Sequence, residues 1–494
     1  MRKWLPLTAV CLGAFMLLVD VTIVTVALPD MATSLHTTFA DLQWVLDIYA
    51  LALAALLLGA GSLADRIGRR KVYLAGLVVF AAASLACGLA TGPAQLIAFR
   101  GLQGIGGAAM FATTMALLSH AYQGRDRGIA FGVWGSVNGA AAAAGPVLGG
   151  LLTEHLDWRW IFYVNLPVSV AAIALTLKVV RESRNPHGTG VDLPGLLTFT
   201  LAAGSVTYAL IRVGDNGWGS TTTLGLFALA ALSLLAFILI EARSKRPMLD
   251  LALFRNPAFV GIMAGGLLLS VAAFSYFVYV SLWLQSVRGM GPVTAGLAML
   301  PMSVTAFVVA GVAGKKLHDA PARWTVGGGL VLIGLGALLL TLIGADSTWT
   351  VLVPGLAVTG AGVGLATPAM AAAAMAAVPP ERAGMAGGAL NTARQLGNAL
   401  GIAVLGAVFQ AGLSHSLPSG IPARLLTGGQ AGALISRTPE AAPAVHTAFA
   451  SGLRDAFLLS GLLGLLGAAA VLTLVRRPTP AHLVPTTPEP VRAG

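Results

Sequence analysis

Tracts of about 20 consecutive apolar residues, each long enough to cross a hydrocarbon core as a helix, recur from one end of this 494-residue chain to the other. In lipid every backbone N–H and C=O must find its partner inside the segment, so such tracts fold as helices. Hydrophobic residues make up 56% of the chain and charged residues 10%, more apolar surface than a water-soluble fold of this size hides. The pattern predicts an all-α, multi-pass membrane protein.

Fourteen spans are read from the pattern: 5–28, 42–61, 72–91, 94–118, 129–152, 161–180, 193–212, 221–241, 257–285, 292–314, 325–344, 350–375, 385–411 and 456–475. The N-terminal "MRKWLPLTAVCLGAFMLL" has the look of a signal peptide, but its apolar stretch runs past Asp20 to Leu28 without a convincing cleavage site, so it reads as a retained first helix. Gly and Pro are frequent inside the spans, which suits closely packed membrane helices. The Gly-x-Gly-x-Gly at 360–364 follows no strand and reads as helix packing, not as a nucleotide loop. The outer segment from about 412 to 455 reads as a long loop, and the Pro-rich tail as disordered.

The net charge of +11 forms no single stripe that would suggest nucleic acid. With the N-terminus inside, only Arg159, Arg212, Arg288, Arg424, Arg437 and Arg454 fall in outer segments. Arg100 and Arg394 lie within spans, and the remaining Lys and Arg fall in inner segments. That bias fits an even number of spans with both termini cytoplasmic. Cys11 and Cys87, the two cysteines, both lie in apolar tracts, which leaves no disulfide framework or Cys-rich metal site. The eight histidines all read as loop or tail residues, with no spaced metal pair among them.

Charge is concentrated in "GSLADRIGRRK", residues 61–71, between the second and third spans. Its cations hold the loop in the cytoplasm, while Gly61 and Gly68 permit tight turning and close helix approach. Asp65 can accept from a neighbouring helix N-terminus or pair with Arg69. A weak echo occurs at 315–324, where Leu317, Asp319 and Arg323 match Leu63, Asp65 and Arg69 in offset, as duplicated halves of a secondary transporter would.

These residues resemble the major facilitator superfamily, whose signature here is G-x-L-A-D-R-x-G-R-R/K: Gly61, Leu63, Ala64, Asp65, Arg66, Gly68, Arg69 and Arg70 all match. "LIAFRGLQGIGGA" is similar to the family's helix-4 motif through Arg100, Gln103 and Gly104. "AAAAGPVLGGLL" is similar to the helix-5 motif of its exporters through Gly145, Pro146, Gly149 and Gly150, with Ala141 where the first Gly is usual. "LVDVTIVTVALP", "WVLDIYAL", "WRWIFYVNLP", "RPMLDLALFR" and "NTARQLGNALG" resemble the fourteen-helix drug:proton antiporter branch, of multidrug and quaternary-ammonium exporter type. The resemblance implies an N-terminal six-helix bundle over 1–180, an inserted helix pair within 181–256, a C-terminal six-helix bundle over 257–478 and a cytoplasmic tail over 479–494. It also implies that the 61–71 loop latches the halves and governs their rocking.

Three intramembrane charges stand out without the family. At 1.5 Å rise per residue, Asp20, Asp47 and Arg100 fall within about 5 Å of one another in depth. Lone charges in lipid are costly, so the two acids are expected to share Arg100 or to line a wet cavity, with separated proton affinities. Asp20 is assigned the coupling proton and Asp47 attraction of positive charge; the alternatives are a fixed Asp–Arg staple and an interfacial position for Asp47. Arg394 reads as structural. Tyr49, Trp134, Asn138, Phe274, Phe277 and Tyr279 are read as cavity residues suited to flat lipophilic cations, and Trp283 as part of an outer aromatic belt.

The expected function is a proton-driven exporter of lipophilic, cationic drugs or antibiotics in a bacterial cell membrane. It is not an enzyme, needs no cofactor or ATP, and works as a monomer among membrane lipids. Gly314-Lys315 is followed by Lys316, not Ser or Thr, and so makes no phosphate loop. Export of one endogenous metabolite or self-made antibiotic is the alternative. An integral-membrane enzyme would want an acidic metal cluster at a helix end, which the sequence does not offer.

Overall fold

The computed structural model describes residues 2–184, 192–244, 247–317, 320–378, 383–418, 423 and 426–475. Every element among them is helical. Among the described residues, thirteen helices are long and apolar enough to cross a membrane. We label the long helices in chain order: α1 Leu5–Ser34, α2 Phe39–Ile67, α3 Arg69–Gly88, α4 Pro93–Ala121, α5 Gly124–His155, α6 Trp160–Val179 and α7 Leu193–Asn216. They continue as α8 Thr221–Arg243, α9 Pro257–Val287, α10 Pro292–Lys316, α11 Ala322–Leu340, α12 Trp349–Ala376, α13 Ala383–Ser416 and α14 Ala442–Leu474. Helix α5, 32 residues long, stands outside the thirteen. The side chain of Asn138, together with His187, Asp319, Arg382, His482 and the tail, lies outside the described residues.

Helices α1–α6 pack on one another, as do α9–α14. The pair α7–α8 packs together at the side, with α7 lying against both α2 and α13. The two groups meet along three seams, α1 with α9, α2 with α13 and α5 with α10. Gly76 of α3 and Gly106 of α4 approach so closely that a Cβ on Gly76 would stand 2.8 Å from the Gly106 carbonyl oxygen. Dispersion across such backbone contacts is what membrane helices have in place of a hydrophobic drive. The leucines of α8, with Leu232, Leu234, Leu235 and Leu239 exposed, present the apolar face that lipid solvates.

Several sequence expectations need correction. Segment 61–71 is two helix ends rather than a loop: α2 runs to Ile67, and only Gly68, at φ +123°, turns the chain. Gly61 sits inside α2 with open space where a Cβ would go, so it brings no helix close. Segment 412–455 is not one long loop, because α13 reaches Ser416, a short helix covers Ala431–Arg437 and α14 begins at Ala442. The charges Arg454 and Asp455 mask that start, although Val445, Ala448, Phe449 and Leu453 form a buried face at helical spacing. His120, His155, His415 and His446 accordingly belong to helices and not to loops. Trp283 is buried in the core, with the Arg288 guanidinium 6.0 Å from its ring, and joins no lipid-facing belt.

Two helices break where the functional residues need it. Pro167 offers no N–H to the Tyr163 carbonyl, and α6 is interrupted at Val164, directly before Asn165. Helix α9 breaks at Ser275–Tyr276, where Ser275 wedges against Gly401 of α13 and bonds the Asn398 carbonyl. Beyond the break α9 ends in a π-helical turn, Trp283–Val287.

Candidate functional site

The ionic centre lies inside the N-terminal group. Arg100 of α4 donates from Nη1 to Asp20 Oδ2 of α1 and to Gln103 Oε1, each at 2.6 Å, and from Nε to the Val45 carbonyl of α2 at 3.0 Å. Asp20 Oδ1 accepts from Gln103 Nε2 at 2.8 Å and from Asn165 Nδ2 of α6 at 3.0 Å. Gln103 Nε2 also reaches Ser84 Oγ of α3 at 2.8 Å. The Tyr49 ring lies 4.3 Å from the guanidinium carbon, a cation–π contact. Five helices therefore converge on one buried pair, and both Asp20 oxygens are filled. Gly104, one turn beyond Arg100, lets α4 close on α2, since its Cβ would stand 2.7 Å from the Tyr49 carbonyl oxygen.

Asp47 takes no part in this centre. Val45 and Tyr49 face Arg100, and Asp47 lies about 200° around α2 from Val45, so its carboxyl points away. The expectation that the two acids share Arg100 is not met. Asp47 is fully buried, and neither carboxylate oxygen has a hydrogen-bond partner. It lies in the row Gln43, Asp47, Ala50, Ala54 and Leu58 that faces α13. There Gln43 donates to the Ile402 carbonyl at 3.2 Å, Thr392 to the Ala54 carbonyl at 3.3 Å, and Leu58 packs over Gly388. Asp47 thus occupies the seam between the two groups, one turn of α2 beyond Gln43.

The 61–71 segment is held by its own half. Asp65 accepts from Arg69 Nε at 2.8 Å, and Arg70 donates to the Leu177 carbonyl at 2.7 Å. Glu182, just beyond α6, accepts from the backbone N–H of Arg70 at 3.0 Å and of Lys71 at 3.2 Å, capping the start of α3. The Arg69 N–H is taken by the Ser183 carbonyl at 2.9 Å. Glu182 occupies the space a Cβ on Gly68 would need, which with the positive φ accounts for glycine there. Arg66 stays exposed.

The helix-5 motif faces two ways. Gly145 and Gly149 face Thr22 and Ile23 of α1 within the same group. Gly150 faces α10, where its Cβ would fall 2.6 Å from the Pro292 oxygen, and the Pro146 carbonyl lies against Gly296. Pro146 and Gly150 therefore close the seam between the groups, at the end opposite the 61–71 segment. Gln285 of α9 donates to the Val26 carbonyl of α1 at the same end, at 2.8 Å.

Of the expected cavity residues, Tyr49 and Tyr279 are consumed by packing in this conformation. Tyr279 stacks on Phe409 and bonds the Ile402 carbonyl. Trp134, Phe274 and Phe277 remain partly exposed. Sequence reasoning missed Asn165, Ser84, Gln43, Glu154 and Glu182. The acids were visible beside helix ends, but the partners of all five depend on the packing of distant helices.

A single chain of helices in two packed groups, with a buried Asp–Arg pair and glycine-lined seams, defines a secondary-transporter architecture. The Major Facilitator Superfamily profile matches residues 10–402, and the chain belongs to that family. It is 40% identical over 414 residues to the multidrug resistance protein Stp of Mycobacterium tuberculosis, covering 84% of this chain and 77% of that one. It is 34% identical to the tetracenomycin C resistance and export protein of Streptomyces glaucescens, covering 98% and 94%. Among solved structures, an autoinhibited POT-family peptide transporter superposes with a TM-score of 0.68 at 15% identity, over 97% of each chain. A bacterial homologue of the human lysosomal transporter Spinster, inward-facing and unoccupied, gives 0.63 at 18% identity, over 96% of this chain and 97% of that one. The protein is a membrane transporter of this family and not an enzyme.

Proposed function

We propose that this protein exports lipophilic, cationic drugs or antibiotics in exchange for protons, by alternating access between the α1–α6 and α9–α14 bundles. On this reading all fourteen long helices span a bacterial plasma membrane, both termini are cytoplasmic, and α7–α8 is an inserted pair. The end carrying residues 61–71 is then the cytoplasmic end, and the seams at Gly150 and Gln285 close the outer end. Small-molecule export follows the relatives' names, and the second reading, a single antibiotic as substrate, draws on the near full-length match to the tetracenomycin C exporter.

The proton reading rests on one observation, the buried Asp47 carboxyl with no partner on the bundle seam. A carboxylate there has nothing to offset its burial, so a proton or a cationic guest is needed to neutralise it. Proton and drug then compete for one group that both bundles face. Asp20 suits the task less well than sequence reasoning expects: protonating it would leave Arg100 buried without its counter-charge, a loss of about 3–5 kcal/mol. Asp20, Arg100, Gln103 and Asn165 act instead as the fixed hub of the N-terminal bundle.

Efflux of matched cationic and neutral dyes from everted vesicles under an imposed pH gradient tests this. Asp47→Asn should abolish proton-driven efflux of the cation while leaving downhill exchange. Full proton-driven transport by Asp47→Asn would return the coupling role to Asp20.

A further inference from the structure

Glu154 sits in the last turn of α5, where the negative end of the helix dipole disfavours an acid. Its partner lies in the other bundle. Glu154 Oε2 accepts from the Val293 backbone N–H at 2.9 Å. Val293 is the second residue of α10, whose first, Pro292, has no N–H to offer. The N-cap of α10 is Gly291, which carries no side-chain cap, and the first turn holds no acid. The start of this helix, left bare by its own sequence, is thus capped from across the seam.

The local geometry is built for that reach. Pro146, Gly150 and Glu154 stand four residues apart on one stripe of α5, and all three meet α10. Gly150 brings the two backbones together, and Gly291 leaves the room: a Cβ there would stand 2.9 Å from Glu154 Oε2. Glycine at 291 therefore removes the cap that Ser or Asp would give and admits the carboxylate that replaces it.

We propose that Glu154 is a gating residue, a latch that holds the two bundles shut at the end opposite residues 61–71 by capping α10 from α5. It extends the exporter motif by one turn and rests on the alternating-access reading. Opening that end parts α5 from α10 and releases both the carboxylate and the N–H to water, so the latch is made and broken once per cycle. Glu154 lies at the surface, which keeps it reversible.

The test measures the open fraction of this end directly, with spin labels on Leu156→Cys and Leu297→Cys of the full chain in lipid nanodiscs, without drug or pH gradient. Glu154→Ala should raise the population with long label distances at least threefold over the parent, and Glu154→Asp should fall between. Gly291→Ser supplies the cap within α10 and displaces the carboxylate, so it should raise the open population with no loss of thermal stability. Efflux measured on the same variants should show a changed kcat with KM for the internal drug within twofold. Unchanged label distances in both Glu154→Ala and Gly291→Ser would overturn the latch, whatever the protein exports. A chain that opens on losing Glu154 but moves no drug would uphold the latch and count against the exporter reading alone.

Discussion

At the scale of single residues, this protein uses polar groups to aim its backbone and not only to bind. Asn165 exposes its amide to Asp20 because Pro167 interrupts α6 just there. Removing that donor in Asn165→Ala takes a hydrogen bond from a buried charge, a loss of about 1.5–3 kcal/mol. We expect a lower unfolding midpoint in detergent, with drug affinity retained. Glu182 works through Gly68 and the start of α3. Gly68→Ala must adopt a backbone conformation at φ +123° that side chains avoid, at about 1–3 kcal/mol, and must also displace the Glu182 carboxylate. Efflux should fall at least tenfold in Gly68→Ala while Gly61→Ala, which meets open space, transports normally. Equal losses in both variants, measured as dye efflux from cells at matched expression, would show that the whole segment matters and not its one turn.

Among the elements, α5 carries the clearest division of labour. Its faces at Gly145 and Gly149 belong to the N-terminal bundle, and its stripe at Pro146, Gly150 and Glu154 belongs to the seam. A bulky residue therefore has different consequences at two glycines of the same motif. Gly145→Leu forces α5 off α1 and should reduce the yield of monodisperse protein on size-exclusion chromatography. Gly150→Leu should leave the yield intact and prevent closure against α10, abolishing efflux. The motif itself was legible in the sequence, since a Gly-Pro-x-x-Gly-Gly run says that something comes close. Which glycine meets which helix was not, because a helix presents its faces every 100° and the partner for each face is chosen by the global packing. The start of α14 was hidden for a related reason. Arg454 donates to the Ile343 carbonyl and Asp455 stays exposed, so the helix carries both charges at the point where the local apolar pattern breaks off.

For the whole molecule, the consequence of two bundles is that the contacts between them have to be reversible. Glu154 reaches Gly291 across the seam, so a short, reducible bifunctional thiol reagent that joins Glu154→Cys to Gly291→Cys should arrest efflux, and reduction should restore it. Cys11 and Cys87 are buried and free and do not interfere. Continued efflux by the cross-linked protein would mean that this seam stays shut throughout the cycle. The sequence by itself determined that the chain is helical and embedded in lipid, which family it belongs to, and that Asp20 and Arg100 lie at one depth, because length, hydropathy and rise per residue are properties of local stretches. Only the tertiary structure decided that Arg100 serves Asp20 and not Asp47, that Glu182 anchors the 61–71 turn, and that Glu154 caps a helix of the other bundle. Partnership between side chains depends on the rotation of each helix about its axis, and that rotation is fixed by contacts among residues far apart in the chain.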